Sequence, residues 1–197
     1  MASETMDRRV RKTRAALRRC LGKLLKEKKI QEISVKEISE MADINRGTFY
    51  LHYRDVYDLL SHIESDLFRQ YNEILDRHKP AEIKESPKML FTDLLRFIRE
   101  NADLVQILMG PNGDIRFLNQ LREVFRTKIM EPWSRSLSPG KESNYPYFHS
   151  YITEGTIGII KRWVESGTDL SPEDMASLAE RFIMTGASGM QAKPSVK

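Results

Sequence analysis

Apolar residues recur at helical spacing along nearly the whole chain, and turn-forming residues separate the helix-length segments. Val35, Ile38 and Met41 give one segment a single apolar face, and Phe49 and Tyr53, four residues apart, give the next segment another. Residues three or four apart share one side of a helix. Since no segment keeps up the apolar and polar alternation of a strand, the pattern predicts an all-α fold.

Two short helices joined by a tight turn are predicted between residues 34 and 53. Ser34 and Asn45 can each offer a side-chain oxygen to the free N–H groups at the start of a helix. Glu37 lies three residues after Ser34, which is the spacing of a capping box. Ile44 fills the turn. The pattern is typical of a helix-turn-helix motif, whose second helix enters the DNA major groove.

A basic helix is predicted before this motif and a helical body after it. The predicted helices run from about Arg8 to Lys28, from near Asp55 to His78, from Pro87, from Ala102 to Met109, from Asp114 to Met130, from about Pro146 to Ser166, and from Pro172. Residues 1–7 are predicted to be a disordered tail, residues 80–86 a linker, and residues 132–143 a loop.

The positive charge is concentrated in the N-terminal third of the chain. Residues 1–60 hold 14 Lys/Arg and 9 Asp/Glu, whereas residues 61–197 hold 18 and 19. A positive segment attached to a nearly neutral one is the pattern expected of a protein that binds a polyanion with one part only. We therefore predict a DNA-binding domain over residues 1–60 and a larger helical domain over residues 61–197.

The composition favours a globular protein of the cytoplasm. Hydrophobic residues make up 40% of the chain, and no apolar run approaches the ~20 residues that a membrane span needs. The N-terminal residues carry no apolar stretch of the secretory kind. Cys20 is the single cysteine, which excludes an internal disulfide and fits a reducing compartment.

The region from Arg8 to Leu60 resembles the DNA-binding domain of the TetR/AcrR family of bacterial transcription regulators. The most specific part is the run Gly47-Thr48-Phe49-Tyr50-Leu51-His52-Tyr53. The resemblance implies an all-helical homodimer with an N-terminal three-helix DNA-binding domain, a near-palindromic double-stranded operator, and a larger C-terminal domain for effector binding and dimerisation.

Family members often place a lysine at the start of the fourth helix, where it touches a phosphate. This chain has Val56 there, so that contact is absent or falls to Arg54 or to the Tyr57 hydroxyl. Hydroxyl, guanidinium and imidazole groups suit phosphates and base edges. The residues predicted to contact DNA are Ser34, Lys36, Arg46, Gly47, Thr48, Tyr50, His52 and Tyr57.

The last two long helices are similar to the dimerising pair of a subgroup that includes the dihydroxyacetone-kinase operon activator. The similar run is Tyr151 … Gly155-Thr156-Ile157-Gly158-Ile159-Ile160 … Trp163. Glycine is costly inside a helix, so two glycines on one face suggest that another helix approaches closely. The predicted dimer-interface residues are Gly155, Gly158, Ile159 and Trp163. The alternative is a tight contact within one subunit.

The resemblance also suggests a central pocket for a small-molecule effector in the body, and repression as the commoner outcome, with activation left open. The residues predicted to line this pocket are Met89, Met109, Phe117, Leu121, Trp133, Phe148 and Tyr151. Ordinary core packing explains the same residues. A contrasting hypothesis is a C-terminal domain that binds another protein and has no pocket.

Catalytic chemistry is not expected. The histidines His52, His62, His78 and His149 form no metal-binding spacing, and the chain has no glycine-rich phosphate loop and no nucleophile motif. We therefore predict no enzyme activity, no metal and no cofactor.

Overall fold

The computed structural model describes residues 2–137 and 144–191. Over these residues the chain is helical and contains no strand, so the predicted all-α fold is confirmed. The chain divides into two compact units, Met1–Phe68 with Ile107–Asp114, and Arg69–Gln106 with Ile115–Lys197. The division at Phe68 lies inside the fourth helix, eight residues after the boundary predicted from the sequence.

The first unit contains the basic helix and the predicted helix-turn-helix. Its elements are α1 (Ala2–Glu27), a 3-10 turn (Ile30–Glu32), α2 (Val35–Met41), α3 (Arg46–Tyr50) and α4 (Val56–Arg77) as far as Phe68. Helix α1 already begins at Ala2, so the predicted disordered tail is wrong from that residue onward. Helix α2 packs against both α1 and α3. The buried apolar side chains of these helices include Leu17, Leu21, Leu24, Ile38, Phe49, Leu59 and Ile63.

Both helices of the motif begin with the predicted caps. The Ser34 hydroxyl accepts the Glu37 N–H at 3.2 Å, and the Asn45 side-chain oxygen accepts the Gly47 N–H at 2.8 Å. The predicted capping box is wrong, because the Glu37 carboxylate pairs with the Lys28 ammonium group instead of turning back to Ser34. Glu37 thus connects the start of α2 to the segment that follows α1.

The start of α4 is fixed by two carboxylates three residues apart. The Asp55 side chain accepts the Asp58 N–H at 2.8 Å, and the Asp58 carboxylate accepts the Arg54 N–H at 3.0 Å. The Arg54 guanidinium donates to the same carboxylate at 3.2 Å. These bonds satisfy N–H groups that no helical carbonyl can reach, so they hold the chain in place directly after α3.

A segment from later in the sequence completes the first unit. Ile107 and Leu108 are buried, and the Asn112 amide donates to the backbone carbonyl of Leu25 at 3.1 Å. Gly113 makes the tight turn possible, because an added Cβ would lie 2.0 Å from the Leu108 carbonyl oxygen. A free carbonyl near the end of α1 therefore finds its partner about 87 positions further along the chain.

The second unit is built from the remaining helices. They are α5 (Pro80–Glu85), α6 (Lys88–Glu100), α7 (Ala102–Leu108) as far as Gln106, α8 (Ile115–Phe125), a π-helical turn (Arg126–Met130), α9 (Glu131–Leu137), α10 (Tyr145–Glu165) and α11 (Pro172–Gln191). Helix α11 packs along α6 and against α10, and α5 packs against α9. The core between them includes Leu90, Phe91, Leu95, Met130, Trp133, Phe148, Ile152, Trp163 and Ile183.

Two prolines occupy helix starts where the sequence predicted non-helical connections. Pro80 is the first residue of α5, so the predicted linker over residues 80–86 is wrong. Pro132 is the second residue of α9, so the predicted loop is wrong over residues 132–137, and residues 138–143 lie outside the described part of the chain. Proline has no N–H, but the first turn of a helix does not need one, which makes these positions favourable for it.

We expect the Asp58 carboxylate to stabilise the first unit only while it is ionised. Hydrogen bonding to the Arg54 N–H, and then to its guanidinium, lowers the pKa of Asp58 below its ordinary value of 3.8. Because the folded-state pKa is the lower one, this stabilisation is present above the ordinary pKa and is lost as the pH falls through the folded value. Chemical denaturation of the wild type and Asp58→Asn, from pH 7 to pH 2.5, measures it. The difference between the two unfolding free energies should begin to shrink as the pH falls below about 4. A constant difference over the whole range would contradict the assignment.

Candidate functional site

Helix α3 is held in the first unit by two aromatic side chains on one side. Phe49 is fully buried and Tyr53 is 7% exposed, and their ring centroids lie 5.9 Å apart. Tyr53 also meets the ring of His62, on α4, edge-on at 5.3 Å. A helix of five residues is too short to be stable alone in water. These contacts therefore decide which side of α3 is turned inward.

The predicted DNA-binding residues of α3 lie mainly on its solvent side. Arg46 and Gly47 are exposed, and Tyr50 is 58% exposed. Thr48 and His52 are half-buried. An added Cβ at Gly47 would meet only the Asn45 side-chain oxygen, at 3.4 Å, so the backbone here is open to close approach from outside. The structure thus brings one guanidinium, two hydroxyls and one imidazole together on α3 and the turn that follows it.

His52 lies at the border between this surface and the interior. Burial, and then the positive charge of Arg14 on α1, lower the pKa of His52. The imidazole is consequently neutral at pH 7, with one ring nitrogen able to donate a hydrogen bond and the other able to accept one. Arg14 of α1 therefore lies close enough to His52 to act on its charge.

The three remaining predicted contact residues, Ser34, Lys36 and Tyr57, are exposed. Lys36 faces Glu40 at 3.9 Å, and because both side chains are more than 60% exposed, little free energy holds the pair together. The Ser34 hydroxyl is engaged in capping α2. Tyr57 is 53% exposed near the start of α4, whereas Val56 is 5% exposed. Of the two substitutes predicted for the missing lysine, Arg54 is paired with Asp58 and the Tyr57 ring is open to solvent.

Leu51 is a surface residue that the sequence reasoning did not select. It is 82% exposed, more than any other large apolar side chain of the described residues. The residues predicted to contact DNA are Gly47 and residues with polar groups. The signal that could have found Leu51 is its position two residues from both Phe49 and Tyr53, which turns it away from the core.

The predicted dimer-interface residues do not share one environment. Gly155 and Gly158 are exposed, and an added Cβ at either would meet none of the described residues within 4 Å. Ile159 is half-buried. Trp163 is 2% exposed, and its indole N–H donates to the Leu170 carbonyl at 3.1 Å. Its prediction as an interface residue is wrong, because it belongs to the core of one subunit.

The predicted effector-pocket residues also separate into groups. Phe117, Trp133 and Phe148 are buried in the second unit, and the Trp133 and Phe148 rings lie 5.6 Å apart. The half-buried Leu121 accepts a hydrogen bond on its carbonyl from the hydroxyl of Tyr71, whose pKa burial raises. Met109 is half-buried in the first unit.

Two of the predicted pocket residues lie on the surface. Met89 is 73% exposed and Tyr151 is 58% exposed, so their prediction as parts of an interior pocket is wrong. Each lies on a helix with one buried face, and a short sequence pattern did not separate the two sides. The ring of Tyr151 covers Gly186 of α11, where an added Cβ would lie 2.6 Å from it.

Residues 2–137 and 144–191 contain neither a metal-binding cluster nor a membrane-spanning helix. No three His, Cys, Asp or Glu side chains come together there as a metal ion would require. None of the helices described has the length and apolar content to cross a membrane.

Comparison with known proteins places these features in a family. Residues 85–185 match the TetR_C_8 family, described as a transcriptional regulator C-terminal region. An uncharacterised helix-turn-helix-type transcriptional regulator of Bacillus subtilis, YxbF, is 25% identical over 163 residues, which are 81% of this chain and 41% of YxbF. The chain therefore spans less than half the length of that relative.

Two solved structures share the fold. FadR of Bacillus subtilis, determined in complex with stearoyl-CoA, is 13% identical with a TM-score of 0.58, over 87% of this chain and 98% of FadR. The dihydroxyacetone kinase operon activator DhaS is 17% identical with a TM-score of 0.51, over 89% of this chain and 96% of DhaS. The family match covers half of the chain and the described fold agrees with it: the chain is a member of the TetR family of transcription regulators.

Proposed function

We propose that this regulator binds a near-palindromic DNA operator as a homodimer, with one α3 helix of each subunit in the major groove. The observation that carries the proposal is the surface of α3 and of the turn after it, where Arg46, Thr48, Tyr50 and His52 surround an open backbone at Gly47. Two such helices would occupy successive major grooves, roughly 34–36 Å apart or somewhat more.

The distribution of charge supports this orientation toward DNA. Residues 1–60 carry a net charge of +5, and the rest of the chain carries −1. Arg46 has no charged partner within the described residues, and Lys36 has only a weak exposed one. These cations are free to exchange water and counterions for phosphate oxygens.

A continuous exposed stripe on α10 supports dimerisation through the C-terminal helices. Tyr147, Tyr151, Gly155, Gly158 and Arg162 follow one another at spacings of three or four residues and are all exposed. Since the described part of the subunit offers no neighbour to either glycine, the alternative of a tight contact within one subunit loses its basis. Two glycines inside a helix lower its intrinsic stability by up to ~1 kcal/mol each. A close-packed helix of a second copy would offset that cost.

A small-molecule effector is proposed for the second unit, near Trp133. The ring is 2% exposed, and its indole N–H has no hydrogen-bond partner among the described residues. A buried donor without a partner costs free energy, which a ligand oxygen would recover. Trp133 lies on α9, and the π-helical turn Arg126–Met130 comes directly before that helix. Such turns often occur at functional sites. Effector binding would change operator affinity by shifting the populations of two dimer arrangements. In the simplest case the protein acts as a repressor.

The proposal includes neither catalysis nor a cofactor. The matched family and YxbF are both described as transcriptional regulators. A regulator that binds chromosomal DNA works in the cytoplasm.

Selection of duplexes from a random pool by the full-length protein tests the central proposal. We expect a recurring sequence with two related half-sites, and an affinity that falls steeply with salt. Each phosphate contact contributes about 0.9 to the slope of log affinity against log salt concentration, so the slope should reach several units. Failure to enrich any sequence, together with a flat salt response, would contradict operator binding.

Arg46 should read a base, whereas Thr48 and Tyr50 should position the helix. A guanidinium matches guanine N7 and O6, so Arg46→Ala should weaken operator binding by ~1–3 kcal/mol and relax one base position. Thr48→Val and Tyr50→Phe should weaken binding to operator and scrambled duplexes alike. Titrations at one fixed salt concentration compare them, with Lys161→Ala on exposed α10 as the control for lost charge. Equal losses on both duplexes for Arg46→Ala would reduce Arg46 to a phosphate contact.

Gly158→Leu should leave the subunit folded and weaken the dimer. The side chain has free space in the described part of one subunit, but at a close-packed interface the extra volume should cost ~1–3 kcal/mol. Sedimentation equilibrium measures dissociation, circular dichroism confirms helicity, and operator affinity should fall with dimer content. Ser150→Leu, exposed on α10 but outside the stripe, is the matched control. A Gly158→Leu protein that dimerises like the wild type would place the interface elsewhere.

A further inference from the structure

The helical course of the chain continues beyond α3 and fixes the direction of Leu51. Leu51 has helical backbone angles, and its N–H donates to the Gly47 carbonyl at 3.2 Å. The next turn is also helical, since the Tyr53 N–H donates to the Phe49 carbonyl at 3.0 Å. Helical geometry can therefore be applied from Arg46 to Tyr53.

Leu51 lies nearly opposite the buried side of this helix. Each residue advances about 100° around a helix axis. Leu51 is two residues after Phe49 and two before Tyr53, so it stands about 160° away from each of these two anchors. With the anchors 0% and 7% exposed and Leu51 82% exposed, the burial agrees with this geometry.

The surface around Leu51 combines apolar and polar groups. One turn earlier on the same side is Gly47, which has no side chain to cover the leucine. Thr48 and Tyr50 flank Leu51, about 60° and 100° away around the helix, and Tyr50 is exposed. Single exposed leucines are ordinary on protein surfaces, but this one occupies the centre of the side that the proposed function turns toward DNA.

We propose that Leu51 reads thymine, by packing its isobutyl group against the 5-methyl group of a thymine in the major groove. Among the four bases only thymine presents a methyl group there, and apolar side chains recognise it by contact. Leucine cannot hydrogen-bond to a base edge, so an apolar feature is the one element of the groove that it can select. The inference rests on the proposed entry of α3 into the major groove and adds the base that one position prefers.

Replacing thymine with deoxyuridine tests this contact directly, because the exchange removes only the 5-methyl group. In the duplex selected by the wild type, each thymine is replaced in turn and the affinity is measured at one salt concentration. At one thymine of each half-site, the wild type should lose about fourfold in affinity, the change that one buried methyl group produces. Leu51→Ala should bind the thymine duplex more weakly and show no further loss on deoxyuridine at that position.

Met41→Ala is the matched control, since Met41 is an exposed apolar residue on α2, 45% exposed, and does not lie on α3. It should keep the wild-type preference for thymine. Circular dichroism should show both variants folded, because both side chains lie on the surface.

Three results would overturn the inference. A selected operator without any deoxyuridine-sensitive position would remove it while leaving the proposed function intact. The same sensitivity in Leu51→Ala as in the wild type would assign thymine reading to another residue. Failure of the wild type to select any duplex would remove the proposed function together with this inference.

Discussion

The burial of Phe49 is the contact on which the DNA-facing surface depends. Helix α3 has only five residues, and an isolated helix of that length does not persist in water. Burying a phenylalanine side chain contributes roughly 1.5–3 kcal/mol, and Tyr53 adds a second buried ring on the same side. Because both rings point inward, the guanidinium, hydroxyl and apolar groups of α3 are left on the outside.

Hydrogen bonds at the helix N-termini fix where each helix begins, and so which residues the apolar contacts bury. Ser34, Asn45 and Asp55 each accept a backbone N–H at the start of α2, α3 and α4 in turn. Each bond contributes little to the free energy of unfolding, typically about 1 kcal/mol for a cap. Their common effect is to fix the residue at which each helix begins. A change of one residue there would rotate α3 by about 100° and bury its outward groups.

In the second unit, one helix supplies both core and surface. Trp163, Phe148 and Ile152 of α10 are buried in the core, while Gly155 and Gly158 lie on an exposed stripe of the same helix. The buried side gives α10 a rigid position against α11. The exposed side can then present Gly155 and Gly158 to a second copy with little further loss of conformational entropy. The proposed dimer needs such an arrangement.

The sequence by itself determined the all-α fold, the two caps of the motif and the polar residues of α3, because these follow from local spacing and from hydrogen bonds between near neighbours. It also indicated the family, through the run from Gly47 to Tyr53. It did not determine the environment of Trp163, Met89, Tyr151 or Leu51. An aromatic residue in an amphipathic helix fits a core or an interface equally well, and a lone leucine fits a core.

Only the tertiary structure decided these cases, because burial depends on residues far away in the chain. Trp163 is enclosed once α11 returns against α10, and the end of α1 finds its partner at Asn112, 87 positions later. The Glu37 carboxylate likewise bonds Lys28, nine positions back, rather than its predicted near neighbour. Local pattern indicated most of the helices, although not α5 or the start of α9. Packing between distant segments decided which side of each helix meets water.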